Sequence, residues 1–396
     1  KIFIGLSLTF LITFLIAGWI FYNMLSSSLP QYTGEISSSK INSNIEVYRD
    51  SFAVPYIIAE SDEDVAFALG YLHAQERLFT MDLIRRAGEG RLSEILGEKA
   101  IPFDKMFRTV GIKRNIHKNL SKYDTTVMKI LQAYSNGVNE FLKERKGNYA
   151  IEFDVLGYQP EQWKPLHSLI VIKMMAWELN ISWWTDLSFA ELIQKLGTEK
   201  VLEILPDYPQ NAPTIITDNF KYLPAINSTL VETDKSFRQM MGWTGTHIGS
   251  NNWVVNANKS VSGKPIIAND PHLAFSAPGK WYAAVIKSKN WNAAGVTLPG
   301  VPGIVIGRGD NISWVLTNVM NDDADFYVEK LDSSKTKYLI DGQWQNLKII
   351  KDTIKVNDGI DQIITIKETH RGPIISNIHP YKFIYNKNNI DIPPIS

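Results

Sequence analysis

The stretch Gly249-Ser250-Asn251-Asn252-Trp253-Val254-Val255 decides the reading of this chain, because the sequence changes character on either side of it. Downstream, short β-branched and aromatic runs at residues 252–256, 265–268, 281–287, 301–306, 313–317 and 327–331 are separated by Gly, Asn, Asp and Pro, which predicts strands. Upstream, two strand-like runs at residues 45–49 and 54–59 precede helical periodicity. Ser61 offers an N-cap, Asp62, Glu63 and Asp64 suit the positive end of a helix, and Val65, Ala68, Leu69, Leu72, Leu78, Met81 and Leu83 recur at helical spacing up to Arg86. Further helices are expected at residues 124–144, 162–180 and 187–204. Between the halves, residues 207–249 carry Pro209, Pro213, Pro224 and a Gly/Thr-rich end, and are expected to lack regular structure. Composition and patterning by themselves support a mixed α and β protein.

At 396 residues, with 44% apolar content, the chain is long enough to bury a substantial core. Lys plus Arg and Asp plus Glu are both 41, so no basic excess exists to hold a phosphate backbone, and nucleic acid is excluded as the expected partner. The absence of cysteine removes thiolate metal sites, a Cys nucleophile and disulfides. Residues Ile2 to Phe21 run for 20 positions without a charge and end at Trp19, Phe21 and Tyr22, a length that spans a bilayer. A cleaved signal has a shorter apolar stretch and a small-x-small site, so an uncleaved anchor is the preferred reading of residues 1–25. Either reading puts the remainder outside the cytoplasm, periplasmic or at the cell surface. The chain begins at Lys1, and residues 391–396 read as stopping mid-fold, so the sequence is expected to be a fragment.

A serine hydroxyl becomes a useful nucleophile when a His, a Lys or the residue's own α-amine takes its proton. No Gly-x-Ser-x-Gly elbow or Ser-x-x-Lys motif stands in a strand-to-helix context here. The third arrangement needs a serine that can become the first residue of a chain. An α-amine has an ordinary pKa of about 7.7 to 8.0 and can act as base near neutrality without further tuning. Ser250 follows an irregular stretch and opens a strand, which is where such a residue would have to stand.

Ser250-Asn251-Asn252-Trp253-Val254-Val255 resembles the start of the mature β-chain of the penicillin acylase family. Residues 263–273 (GKPIIANDPHL), 299–303 (PGVPG), 307–314 and 321–325 (NDDAD) resemble further family blocks in the same order. Upstream, Arg49-Asp50 through Pro55 and residues 70–79 (GYLHAQERLF) resemble its α-chain. The likeness covers residues 45 to about 375. It implies an α+β protein with the αββα sandwich of the N-terminal-nucleophile hydrolases, truncated at its C-terminal side. The implied organisation is an anchor or signal at 1–25, a linker at 26–44, an α-chain-like part at 45–206, a spacer at 207–249 and the first part of a β-chain at 250–396.

The resemblance implies roles residue by residue. Ser250 would attack the Gly249 carbonyl in an autocatalytic cut, then serve as nucleophile through its hydroxyl and as base through its α-amine. Asn318 would supply a backbone N–H to the oxyanion hole, its side chain being immaterial. His272 would line the active site and tune the base. The family's second oxyanion donor lies past Ser396, so this piece alone is expected to be inactive. Asp322, Ala324 and Asp325 resemble a calcium loop, with Asp186 as a further ligand, and the ion would be structural. No organic cofactor is expected. The charged residues Glu76, Arg77, Asp82, Arg85, Arg86, Glu89 and Arg91 are read as a salt-bridge network with no catalytic role.

Positions resembling the acyl pocket are Met175, Leu179, Leu273, Ile306 and Leu316, where phenylacetyl-selective members place Phe at several. Aliphatic walls suit a linear acyl chain, so acyl-homoserine lactones or other long-chain N-acyl amides rank above penicillin G as substrates, with a β-lactam side chain kept as an option. The expected partners are that small molecule, the α and β chains of one precursor, and the membrane. The rival reading is an unprocessed, inactive, membrane-anchored binding protein of the same fold.

Overall fold

The computed structural model describes residues 2–204, 229–243, 249–321, 324–376 and 378. In chain order the helices are α1 (Ile2–Ser27), α2 (Asp62–Glu89), α3 (Ser93–Leu96), α4 (Ile101–Val110), α5 (Ile112–Asn119), α6 (Thr125–Glu144), α7 (Ile151–Val155), α8 (Pro165–Leu179), α9 (Ser182–Leu196), α10 (Thr198–Leu202) and α11 (Thr229–Met240). The strands are β1 (Glu46–Arg49), β2 (Pro55–Ile58), β3 (Ser250–Val255), β4 (Ile266–Pro271), β5 (Tyr282–Lys287), β6 (Asn292–Thr297), β7 (Ile306–Arg308), β8 (Ser313–Trp314), β9 (Lys337–Ile340), β10 (Gln343–Asn346), β11 (Lys348–Ile354) and β12 (Gln362–Glu368). The chain is thus a mixed helix and sheet protein, as its patterning predicts.

Helix α1 is predominantly apolar, exposed from Ile2 to Tyr22 and half-buried at Asn23, Met24 and Ser26, and it is long and apolar enough to cross a membrane, a test that a signal sequence also passes. The chain divides into two compact units.

The first unit comprises Lys1–Arg85, Asn119–Ile172 and Ala277–Val315, and holds a six-stranded sheet in the order β1-β2-β5-β6-β7-β8. Every neighbouring pair is antiparallel except β2 with β5, which is parallel. The β1–β2 turn is shaped by Asp50, whose carboxylate accepts the N–H groups of Phe52 and Val54, both at 2.9 Å, while Ala53 sits at φ 61°. Helix α2 meets both the sheet and α6. Its contact with α6 is backbone against backbone, because a Cβ on Gly70 would stand 2.1 Å from the Tyr134 carbonyl oxygen and one on Gly137 would stand 1.9 Å from that of Phe67.

A fully satisfied polar chain crosses this core. The Gly300 N–H donates to the Tyr134 hydroxyl at 2.8 Å, which lies 2.8 Å from His73 Nδ1. His73 Nε2 lies 2.8 Å from Thr297 Oγ1, whose own proton goes to the Tyr282 carbonyl at 2.9 Å. With the Thr297 proton so used, His73 donates from Nε2, and a neutral ring then accepts the Tyr134 proton on Nδ1. Burial is the first cause holding its pKa down to about 3, with the Arg77 charge adding to it.

The second unit comprises Arg86–Lys118, Lys173–Ser276 and Leu316–Ser396, with three two-stranded ribbons: β3–β4, β9–β10 and β11–β12. The charged run of α2 and the turn after it is an ion-pair network, as expected. Arg49 pairs with Glu76 at 2.9 Å and Arg85 with Asp82 in the first unit; Arg86 pairs with Glu94 at 2.9 Å and Arg91 with Glu89 at 3.0 Å in the second.

Several sequence expectations need correction. Residues 207–249 are not wholly irregular: α11 occupies Thr229–Met240, with Leu230, Val231, Thr233, Asp234, Phe237 and Arg238 buried along it. Its buried positions recur at helical spacing, but only Leu230, Val231 and Phe237 among them are apolar, and tertiary contacts hold the helix in place. The part of that stretch at residues 207–228 and 244–248 lies outside the described residues. The strand expected at 301–306 begins only at Ile306, because Gly300 and Gly303 at φ 107° and 113° turn the backbone. The strand expected at 313–317 is two residues long, and that at 327–331 is reduced to isolated bridges at Val328 and at Leu331, the latter with Tyr338.

Candidate active site

The β3–β4 ribbon sets the geometry of the Gly249–Ser250 bond. Its antiparallel register pairs Ser250 with Pro271 and Asn251 with Asp270, so the residue after β4, His272, falls beside Gly249. The His272 backbone N–H donates to the Gly249 carbonyl at 3.2 Å. Gly249 itself has φ 120°, a backbone conformation that side-chain-bearing residues rarely adopt, and this turns its carbonyl toward that donor.

The Ser250 hydroxyl lies 2.6 Å from Thr317 Oγ1 and 3.4 Å from the backbone nitrogen of Asn318, which donates to it. Thr317 gives its single proton to the Ser250 carbonyl at 3.2 Å, so it accepts the proton of the Ser250 hydroxyl. The Asn318 side chain is not idle: Nδ2 donates to the Leu179 carbonyl at the end of α8 at 2.7 Å, and Oδ1 accepts the Met320 N–H at 3.1 Å. The N–H that faces Ser250 is therefore fixed by an anchor on a helix and by a local turn in which Met320 takes φ 57°.

Asn269, on β4, ties the β3–β4 ribbon to the segment at Leu316. Its Oδ1 accepts the Leu316 N–H at 2.8 Å, and its Nδ2 donates to the carbonyls of Leu316 at 3.0 Å and Asn251 at 3.2 Å. In the sequence Asn269 stands out only as part of the block at residues 263–273. Its role depends on a partner 47 positions away, and the Asn-Asp-Pro-His context was the one signal that pointed to it. The His272 ring lies 3.3 Å from Asn251 Nδ2 and 3.1 Å from Asp270 Oδ2, so its side chain faces the strand next to the nucleophile.

A family model described as penicillin amidase matches residues 44–392. The chain belongs to the penicillin amidase family. Among its curated relatives, the acyl-homoserine lactone acylase QuiP of Pseudomonas aeruginosa is 30% identical over 358 residues, covering 89% of this chain and 42% of that protein. The penicillin acylase 2 proenzyme of Pseudomonas sp. strain SE83 is 30% identical over 364 residues, covering 89% of this chain and 46% of that protein. A solved chain of the thermostable penicillin G acylase from Alcaligenes faecalis aligns at 26% identity over 44% of this chain and 97% of its own, with a TM-score of 0.36. The chain spans less than half the length of these two curated relatives.

Of the residues that the penicillin amidase resemblance assigned, Gly249, Ser250, His272 and Asn318 are brought together in the second unit by the bonds above. Met175 and Leu179 are four residues apart on α8, and so share a face; both are half-buried. Leu273 follows His272 and is half-buried, and Leu316, 51% exposed, precedes Thr317. Ile306 is half-buried on β7, in the first unit.

For the metal, Asp322 lies outside the described residues. Ala324 is half-buried and Asp325 exposed, while Asp186 stands on α9. A ring contact between Trp183 and Phe326, with centroids 6.4 Å apart, brings the start of α9 against the segment that carries Asp325. Among the described residues there is no group of three or more His, Asp or Glu side chains that could hold a metal.

Proposed function

We propose that this protein is a penicillin amidase family hydrolase that cleaves N-acyl amides with a serine it exposes by cutting its own chain at Gly249–Ser250. The observation that carries this reading is the pairing of two donors with two reacting groups: the His272 N–H on the Gly249 carbonyl and the Asn318 N–H on the Ser250 hydroxyl.

In the uncut chain the Ser250 nitrogen is an amide and has no basicity. Attack of Ser250 Oγ on the Gly249 carbonyl carbon, with its proton passing to the departing nitrogen, converts the peptide bond to an ester, and water then releases the Gly249 carboxylate. The His272 N–H opposes the negative charge that grows on the Gly249 oxygen. The product is a free α-amine on Ser250, close to its own hydroxyl. In turnover this amine takes the hydroxyl proton as Oγ attacks the substrate carbonyl, gives it to the leaving amine, and activates the water that hydrolyses the ester. The Asn318 N–H donates to the oxyanion of both tetrahedral intermediates.

The aliphatic residues Met175, Leu179, Leu273, Ile306 and Leu316 support an elongated acyl chain over a phenylacetyl group, and relatives named as acyl-homoserine lactone acylases support the same ranking. The full fold would be the αββα sandwich of this hydrolase class, facing the outside of the cell with α1 as anchor. A calcium ion held by Asp322, Ala324, Asp325 and Asp186 would join the two segments that Trp183 and Phe326 bring together. Its role would be structural.

N-terminal sequencing of the whole processed protein should find a chain starting at Ser250, and Ser250→Ala should remain uncut. An active protein whose chain stays continuous through Gly249 would overturn the proposal. Octanoyl amides should be cleaved with higher kcat/KM than phenylacetyl amides. Chelator should lower the melting temperature before it changes the reaction, and an unchanged melt counts against the ion.

A further inference from the structure

Helix α11 falls inside the stretch that the family resemblance assigns to a spacer, yet it is built into the second unit. Asp234 is 0% exposed, and its carboxylate accepts three donors: Trp177 Nε1 at 2.8 Å, Trp184 Nε1 at 3.0 Å and Arg238 Nε at 2.8 Å. The Arg238 guanidinium, 4% exposed, goes on to donate to the carbonyls of Glu178 and Trp177, both at 2.7 Å. Phe237 packs edge-on against Phe103, Phe107 and Trp243, and Phe107 against Trp177.

These carbonyls belong to the last turn of α8, where a helix leaves its C=O groups without intrahelical partners. Arg238 takes two of them, and Leu179, next in the chain, has its carbonyl taken by Asn318 Nδ2 at 2.7 Å. The end of α8 is thus shared between α11 and the segment that carries Asn318. Excising α11 would take the Asp234 acceptor from two indole N–H groups and the Arg238 donor from two carbonyls in a buried place, and a buried polar group that loses its partner is destabilising, besides uncovering Phe107. A segment removed during maturation would not be expected to carry so much of the core.

We infer, resting on the reading of Ser250 given above, that α11 stays in the processed enzyme and that Arg238 and Asp234 are positioning residues of the active site. They hold the end of α8 so that Leu179 can fix Asn318. The removable segment would then lie after α11, and the first chain would end beyond Met240. The pair also sets where Met175 and Leu179 stand, and through them the depth available to an acyl chain.

The test uses the whole processed protein, with its two chains separated in denaturant and weighed by intact mass spectrometry. The expected first chain includes Met240; one ending before Thr229, with the second starting at Ser250, overturns the inference and leaves the proposed function intact. A protein that is active but never cut at Ser250 sinks the proposed function instead. Arg238→Ala and Arg238→Lys then test positioning, with active sites counted by a serine-reactive acylating probe so that misfolded material is excluded. Lysine keeps the charge but cannot span both carbonyls. The expected result is a fall in kcat per titrated site of fivefold or more in both variants and an altered acyl-length profile, with circular dichroism of Arg238→Lys unchanged. Wild-type kcat and profile per titrated site in Arg238→Lys would overturn the positioning role even if Arg238→Ala fails to fold.

Discussion

The Thr317 hydroxyl bridges the two ends of Ser250, 2.6 Å from its Oγ and 3.2 Å from its carbonyl oxygen. It fixes the rotamer in which the nucleophile's oxygen faces the Asn318 N–H. Thr317→Val keeps the shape and loses both hydrogen bonds; Thr317→Ser keeps the hydroxyl. Self-cleavage should slow about tenfold in the valine variant, the equivalent of ~1.4 kcal/mol and of the order of one hydrogen bond, and the serine variant should cut near the wild-type rate. Gel-resolved processing time courses check this, and equal rates in wild type and Thr317→Val would rule the bridge out as a determinant.

The side chain of Asn318 was expected to be immaterial, and its bonds to the Leu179 carbonyl and Met320 N–H say otherwise. Asn318→Ala leaves the backbone donor present and removes both anchors. Losing an oxyanion donor outright costs roughly 100 to 1,000-fold in turnover, so a loosened one should cost less, about tenfold in kcat with little change in KM. Steady-state kinetics on the processed enzyme measure this split. A raised KM at unchanged kcat would mean that the side chain serves substrate binding.

What the sequence made legible follows from the range of each interaction. The start of β3 at Ser250 and the whole of α2 were readable because their signals are local: an alternating run in one case, an N-cap and an apolar stripe in the other. Strand β6 was missed because Ala293, Ala294 and Gly295 have little strand preference, and pairing with β5 and β7 decides them. A Cβ on Gly295 would meet the Ile306 carbonyl oxygen at 2.1 Å, so this residue is small for a reason visible only across the sheet. Helix α11 is hidden for the same kind of reason, polar Asp234 and Arg238 being buried along it beside Leu230, Val231 and Phe237. Ser250, Asn318 and His272 were readable through resemblance, while Asn269 and Thr317 act through partners far along the chain and left no local mark.

Two buried groups should give opposite pH dependences of stability. His73 has its pKa lowered to about 3, chiefly by burial, below its ordinary 6.5. Between those values the folded state binds fewer protons than the unfolded one, so this contribution is complete above pH 6.5 and is lost as pH falls through that window. Asp104 accepts the N–H groups of Leu92 and Ser93, both at 2.7 Å, yet burial dominates and raises its pKa to about 6 from 3.8. Here the folded state binds more protons, so stability is present below pH 3.8 and is lost as pH rises toward 6. Each group changes the slope by up to about 1.4 kcal/mol per pH unit, and the two oppose one another between pH 4 and 6. Urea unfolding across that range should show a more negative slope for His73→Gln than for wild type, and a more positive one for Asp104→Asn. Parallel slopes in all three proteins would contradict the assignment.

The crossing of α2 and α6 gives the sharpest packing test. A methyl group on Gly137 would sit 1.9 Å from the Phe67 carbonyl oxygen, and the obstacle is backbone, which cannot rotate aside. The helices must separate, and Tyr134, buried one turn before Gly137, would be drawn away from His73 and the Gly300 N–H. Overpacking of a core typically costs 1–3 kcal/mol, and the broken polar chain adds to it, so Gly137→Ala should lose at least ~3 kcal/mol. Gly70→Ala should do likewise from the other helix. Gly372, with no atom within 4 Å of its would-be Cβ, is the control, and Gly372→Ala should stay within about 0.5 kcal/mol of wild type. Denaturant midpoints of the three variants check the comparison, and a Gly137→Ala protein as stable as the control would mean that the two helices do not cross in backbone contact.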